Sequence, residues 1–339
     1  MKKSFYGILA LIISLSLCLP LASCGKRLKK YTSTYFEHFD TYATLTLFAS
    51  SSEEYKTLDS IFKSELEKYH QLLDIYNQYE NVVNLYTVNA SAGTEAVAVS
   101  DELFDFISQA VHTHKITNGY TSISIGAVTS VWKQALNTHT LPDEDILAEA
   151  AKHIDISHII LDSTNKTVTL TDSKMSLDAG ALGKGYAADK IGNALRDAGC
   201  ESFLLDLGGN LKAHGYKPDG SPWLGGIRDP NELEGSLDLS INISDRALST
   251  SGSYHRGFEL DGTVYHHIIS PYTLRPENIF SSVSVICRDS YVSDALSTAL
   301  FSMSLEDGQM LIASIENAEA VWIFADGKIV TTDGITPTT

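Results

Sequence analysis

Between residues 53 and 76 apolar side chains recur at helical spacing, with Tyr55, Leu58, Phe62, Leu66, Tyr69 and Leu73 on one face. Such a stripe predicts a long amphipathic helix. Ser100 is a good N-cap for a second helix, whose inward stripe uses Leu103, Phe104, Ile107 and Val111 and ends near Gly119. Residues 143–153 carry a fainter stripe and predict a third. Alternation over 36–48 predicts a strand. The pairs 159–161 and 167–170 predict a hairpin. An apolar strand end at Met175 and Leu177 leads through a Gly-rich turn into a helix over 184–198, then a strand over 203–207, a local β-α-β unit. Strands dominate afterwards, at 223–227, 237–243, 258–260, 264–269, 282–287, 320–324 and 328–332, with one helix over 293–302. Asp261-Gly262 and Asp326-Gly327 are hairpin turn pairs. This order predicts an α+β fold, a mixed and largely antiparallel sheet with packed helices.

The first residues have a different pattern. Lys2 and Lys3 precede an apolar run over 5–19, which is short for a membrane span and ends in small residues. That is the make-up of a cleaved secretion signal. Leu21-Ala22-Ser23-Cys24 resembles a bacterial lipobox, which implies cleavage before Cys24, diacylglycerol on its thiol, and anchorage at the outer face of the cytoplasmic membrane. An ordinary signal peptide with an incidental Cys is the alternative. The expected organisation is a lipoprotein signal at 1–23, a polar tether at 24–34 and one domain over 35–334.

Charge narrows the partners. The chain has 25 Lys and Arg against 42 Asp and Glu, a net of −17, and loss of Lys2 and Lys3 with the leader makes it −19. An acidic surface repels nucleic acid and anionic lipid. A polyanionic ligand would need local donors or a metal ion. Beyond Cys18 and Cys24 only Cys200 and Cys287 remain, without metal-ligand spacing, and two buried thiols are expected.

Four segments have chemical potential beside residues 176–189, where an Asp, three small-residue steps and Lys184 lead into a helix whose first N–H groups suit a phosphate. Asp294 and Thr298 lie four apart on one helical face, either a solvated face or a pair of hard oxygen ligands for Mg²⁺. His266-His267-Ile268-Ile269-Ser270-Pro271 ends a strand, and adjacent histidines there point to opposite faces. Leu248 to Tyr254 reads as a hydroxyl-rich turn, and Leu205-Asp206-Leu207-Gly208-Gly209-Asn210 as a strand and glycine pair.

Taken in order, Asp178-Ala-Gly-Ala-Leu-Gly-Lys-Gly-Tyr-Ala-Ala-Asp189, Leu-Gly-Gly-Asn210, Ser-Thr-Ser-Gly-Ser-Tyr254, the segment from Asp261 to Pro271 and Ser-Asp294-Ala-Leu-Ser-Thr-Ala-Leu300 resemble the ApbE family. The resemblance spans about residues 36–330, with residues 73–77 and 118–126 filling two further family segments. It implies an ApbE-like fold and a FAD:protein FMN transferase, in which Mg²⁺-dependent transfer of FMN from FAD to a Thr or Ser hydroxyl of an exported protein releases AMP. It implies metal ligation by Asp294, Thr298 and the Ala181 carbonyl, and contact with FAD by Tyr120, Thr121, Ser122, Asp178, Lys184 and the backbone near Ile269. His267 and Lys184 are the expected catalytic groups, His267 for proton handling or orientation. A FAD pyrophosphatase and a non-catalytic flavin-binding lipoprotein are the alternatives. Ser122 and Ser270 stand where many members have Asp, and Leu274 where many have Gly.

Overall fold

Ala43, Leu45, Leu47 and Ala49 alternate with half-exposed neighbours and are all buried, the signature of a strand with one face on the core. In the computed structural model, which describes residues 28–228, 230, 237–254 and 256–335, the elements follow in this order. They are β1 (Lys29–His38), β2 (Thr41–Ala49), α1 (Ser52–Leu73), α2 (Leu85–Ala90), β3 (Val97–Ala98), α3 (Asp101–Ile116), α4 (Gly126–Thr138), α5 (Glu144–Ala150), β4 (Ile159–Asp162) and β5 (Thr167–Leu170). Then come α6 (Gly183–Asp197), β6 (Phe203–Leu207), β7 (Asn210–His214), β8 (Leu224–Arg228), β9 (Leu237–Asn242), β10 (Ala247–Gly252), β11 (Gly257–Leu260), β12 (Thr263–His266), β13 (Phe280–Cys287), α7 (Ser290–Ser302), α8 (Leu305–Ala313), β14 (Glu319–Phe324) and β15 (Ile329–Thr331).

An eight-stranded sheet in the order β1-β2-β6-β7-β10-β13-β14-β15 is the spine. Each of its pairings is antiparallel. β13 is buried along its whole length because it is covered on both sides. Val283 and Val285 face Leu296 and Leu300 of α7, while Ile286 joins Trp223, just before β8, and Ile227 and Ile241 of the β8–β9 pair on the other face. Each such side chain contributes about 1.5–3 kcal/mol on burial. The α6 and α1 helices pack beside α7 over β2 and β6.

The α+β expectation holds, and the two free thiols Cys200 and Cys287 are buried. Several local expectations change. Residues 36–48 form the end of β1 and most of β2, because Phe39 and Asp40 take positive φ and turn the chain between them. β1 also takes up Lys29 to Thr34 of the stretch expected to be tether. There Tyr31 stacks on Tyr55 at 4.6 Å and Tyr35 donates to Asp59, so an alternating tyrosine pattern outweighs the basic start. Met175 to Leu177 is not a strand. The Asn89 side chain accepts from Leu177 N–H and donates to its carbonyl, standing in for a strand neighbour, and the β-α-β unit does not form. The run from Leu248 is mostly β10 rather than a turn. β12 ends at His266, three residues short of its expected end at 269. The leader and Cys24 lie outside the described residues.

Candidate functional site

The turns that follow β6 and β10 open at the same end of the sheet as the first residues of β2 and β13. The N-terminus of α6 and the first turns of α7 meet beside this end. Gly185 makes that meeting possible. A Cβ there would lie 2.5 Å from the Ser290 carbonyl oxygen and 2.6 Å from Asp294 Cβ. Gly185 N–H, one of the free donors of a helix start, donates to Asp294 Oδ2 at 2.8 Å. Asp294 is 4% exposed. Burial pushes its carboxyl above the usual range, while Lys184, Asn210 and the Gly185 N–H oppose that rise. Asn210 leans toward the carboxylate, but its buried Nδ2 falls short of a well-formed hydrogen bond. Thr298, one turn on, has its hydroxyl 3.3 Å from Ser251 Oγ, a loose contact.

Asp178 is fixed just before α6. Its Oδ1 accepts from Gly180 N–H at 2.8 Å and its Oδ2 from Thr129 Oγ1 at 2.6 Å. The 120–122 segment is divided in its loyalties. Tyr120 packs on Tyr272 with ring centroids 4.6 Å apart. Thr121 spends its hydroxyl on the Ala295 carbonyl at 2.7 Å, tying the segment to α7. Ser122 turns to His114, so of the three side chains Tyr120 alone is free to meet a ligand with its flat face.

His114 escaped the sequence reading. Ser124 donates to the Ile154 carbonyl at 2.6 Å, so it must accept from Ser122 at 2.9 Å, and Ser122 in turn from His114 Nδ1 at 2.9 Å. That chain fixes the proton on Nδ1 and leaves Nε2 as an acceptor. Burial also pushes His114 below its ordinary value. It borders a cavity of about 210 Å³ lined by Ile125, Ile154, Asp155, Pro271 and Tyr272. A wider, open depression beside Lys56, Ser60 and Glu65 of α1 contains none of these groups.

The two adjacent histidines part as the alternation rule requires. His266 is fully buried, accepting Ile268 N–H at Nδ1 and donating from Nε2 to the Glu277 carbonyl at 3.0 Å. His267 is exposed to solvent. Its Nδ1 faces the Arg256 carbonyl at 3.4 Å, which leaves Nε2 as the outward acceptor. Crowding by surrounding protein, then the charges of His266, Lys184 and Arg256, lower its pKa from the ordinary value. The charge of Lys184 lowers the pKa of His267 and opposes the rise at Asp294. Ile269 is buried against Val128 and Trp132 and bridges to Pro276 through its backbone.

A family model described as the ApbE family matches residues 39–322. The chain belongs to the ApbE family. A Treponema pallidum member named FAD:protein FMN transferase is 34% identical over 265 residues, covering 74% of this chain and 73% of its own. A Klebsiella pneumoniae member of the same name is 32% identical over 267 residues, covering 78% and 81%. Among solved ApbE structures, the Thermotoga maritima protein superposes with a TM-score of 0.81 at 24% identity, covering 90% of this chain and 97% of that one. The apo flavinyl transferase of Pseudomonas stutzeri gives 0.77 at 23%, covering 90% and 94%. At those identities the structures establish the ApbE fold.

Two of the three expected departures from other ApbE sequences, Ser270 and Leu274, have local explanations. Ser270 Oγ accepts from Tyr272 and Thr273 N–H groups at 3.4 and 3.5 Å, capping the turn much as an Asp would. Leu274 takes φ of +58°, the left-handed region that favours glycine, and is held there by Trp132 Nε1 donating to its carbonyl at 2.7 Å.

A hard divalent cation suits the α6–α7 junction. Asp294 is a buried carboxylate with incomplete charge compensation, Thr298 is loosely bonded, and the Ala181 carbonyl has no hydrogen bond among the described residues. No cluster of three His, Cys, Asp or Glu side chains suited to a metal occurs among the described residues. One carboxylate with neutral oxygens, completed by water and substrate, matches Mg²⁺ better than a thiolate or imidazole metal.

Proposed function

We propose that this protein is an FAD:protein FMN transferase that, with Mg²⁺, moves FMN from FAD to a Thr or Ser hydroxyl of an exported protein and releases AMP. The supporting observation is the buried Asp294 of α7 seated against the opening turn of α6, where Gly185 N–H donates to it at 2.8 Å next to Lys184. Membership of the ApbE family and relatives bearing that name point the same way.

Each residue has a task in this reading. Lys184 and the N–H groups opening α6 offset the negative charge of the diphosphate. Asp178, pinned by Thr129 and Gly180, supplies a rigid acceptor beside that turn, and the Tyr120 ring and the backbone near Ile269 border the nucleotide. Asp294, Thr298 and the Ala181 carbonyl would hold Mg²⁺, which would supply positive charge to offset the negative charge developing on the phosphoryl oxygens. His267 presents a neutral Nε2 that takes the proton from the acceptor hydroxyl as its oxygen attacks the FMN phosphorus. The bond from that phosphorus to the bridging oxygen breaks, and AMP leaves with the electron pair.

Intact-mass measurement of an exported acceptor domain, incubated with the protein, FAD and Mg²⁺, tests this. Gain of one FMN moiety with AMP in the supernatant is expected. FMN and AMP released with the acceptor unchanged would mean a pyrophosphatase, and intact FAD a flavin-binding lipoprotein. We also propose that Cys24 is lipidated and holds the enzyme at the extracytoplasmic face of the bacterial cytoplasmic membrane. Cys24→Ser is expected to shift the protein from the membrane fraction to the soluble one.

A further inference from the structure

The α6 and α7 helices cap one another. Asp294 of α7 takes an N–H from the first turn of α6, and Asp189 of α6 takes two from the first turn of α7. Its Oδ1 accepts Ser290 N–H at 3.0 Å and its Oδ2 accepts Tyr291 N–H at 2.8 Å. The residue in the N-cap place of α7, Asp289, makes no side-chain capping bond of its own. Lys212 of β7 completes the arrangement, with Nζ 3.0 Å from Asp189 Oδ1 and 2.7 Å from the Arg288 carbonyl. Asp189 and Lys212 are 19% and 16% exposed, so water competes little for these bonds.

We infer that Asp189, braced by Lys212, is a positioning residue that sets the height and rotation of α7 against α6 and thereby places Asp294 and Thr298 for the cation. The inference rests on the metal reading above. A charged acceptor spanning two consecutive N–H groups fixes the start of α7 in two directions, and a pair of charge-assisted bonds is stronger than an ordinary cap. Asp294 and Thr298 sit one and two turns beyond that fixed point. Gly185 leaves no spare space between the helices, so a small slip at Ser290 is carried to Asp294 rather than absorbed. Groups that orient metal ligands from behind typically change metal affinity by about 10–100-fold when removed.

The test measures Mn²⁺ binding, as a spectroscopically visible stand-in for Mg²⁺, on the full-length protein and on Asp189→Ala, Asp189→Asn, Lys212→Met and Asp294→Ala. The Mg²⁺ concentration giving half-maximal FMN transfer is read alongside, with the rate at saturating Mg²⁺. Asp189→Ala is expected to weaken Mn²⁺ binding and raise the Mg²⁺ requirement about 10–100-fold, with the saturated rate within about 3-fold of wild type, 3-fold in rate being under 1 kcal/mol. Asp189→Asn, which keeps an acceptor oxygen, is expected to recover part of the loss. Wild-type Mn²⁺ affinity in Asp189→Ala, with only a lower melting temperature, would overturn the inference. Should Asp189→Ala fail to fold, Lys212→Met decides on the same scale. If Asp294→Ala binds Mn²⁺ as wild type does, the metal reading itself fails. Loss in Asp294→Ala without loss in Asp189→Ala removes the positioning role alone.

Discussion

A Cβ placed on Gly185 would lie 2.6 Å from the Cβ of Asp294, so the backbone of one helix touches the side chain that the other presents to the site. The obstructing atoms include the Ser290 carbonyl, which cannot swing aside as the end of a flexible side chain can. Gly185→Ala is therefore expected to force α6 and α7 apart. It should cost about 1–3 kcal/mol in chemical denaturation, the range for overpacking, and abolish Mg²⁺-dependent transfer. Wild-type stability and turnover would show that the junction yields.

His267→Gln tests the proton acceptor. The neutral ring has its pKa pulled below the ordinary value, so the wild-type rate should be level through neutral pH and fall only on the acid side of 6.5. The variant is expected to lose about 10²–10⁴-fold in kcat and to lose that acid limb. An unchanged limb in the variant's pH profile would assign the proton to another group.

The neighbouring His266 should govern stability instead. Both ring nitrogens are committed with the ring neutral, and burial lowers its pKa in the folded chain. The neutral ring's contribution is whole above the unfolded value near 6.5 and is lost as pH falls through the folded value. The slope approaches about 1.4 kcal/mol per pH unit for one proton. Thermal melting between pH 7.5 and 5 should fall more steeply in wild type than in His266→Phe. Parallel curves would remove His266 as the cause.

Lys184→Gln should raise the KM for FAD by roughly 10–100-fold, since one charge-assisted bond contributes about 1.5–3 kcal/mol. Mn²⁺ affinity without FAD should not weaken, because a cation near Asp294 is repelled by that ammonium. A variant with normal KM would place the diphosphate away from the start of α6.

Much of this arrangement was readable from residue order. The stripe from Tyr55 to Leu73 gives α1, and Asp261-Gly262 takes φ of +51° and +77° in the two-residue turn between β11 and β12. Other parts were hidden by chemistry that sequence spacing does not show. Ser249, Thr250 and Ser251 look like a polar loop, yet they form a covered strand because each hydroxyl finds another on Ser293, Ser284 or Ser297. Asn89 imitates a strand beside Leu177 from 88 residues away. Asp189 was visible as the last letter of a motif, but its partners lie about a hundred residues on, at the start of α7. His114 likewise gains meaning only from Ser122, which faces it across a turn.

The early start of β1 has a consequence for which proteins can be modified. Only four residues lie between Cys24 and Lys29, where the sheet begins, so five backbone steps join the two. Fully stretched, they span at most about 18 Å, so an acylated Cys24 would keep the catalytic body on a very short leash, almost touching the bilayer. An enzyme anchored in that way would work in a thin shell above the lipid. Its customers would be proteins that are themselves rooted in the same membrane and offer their hydroxyl close to its surface.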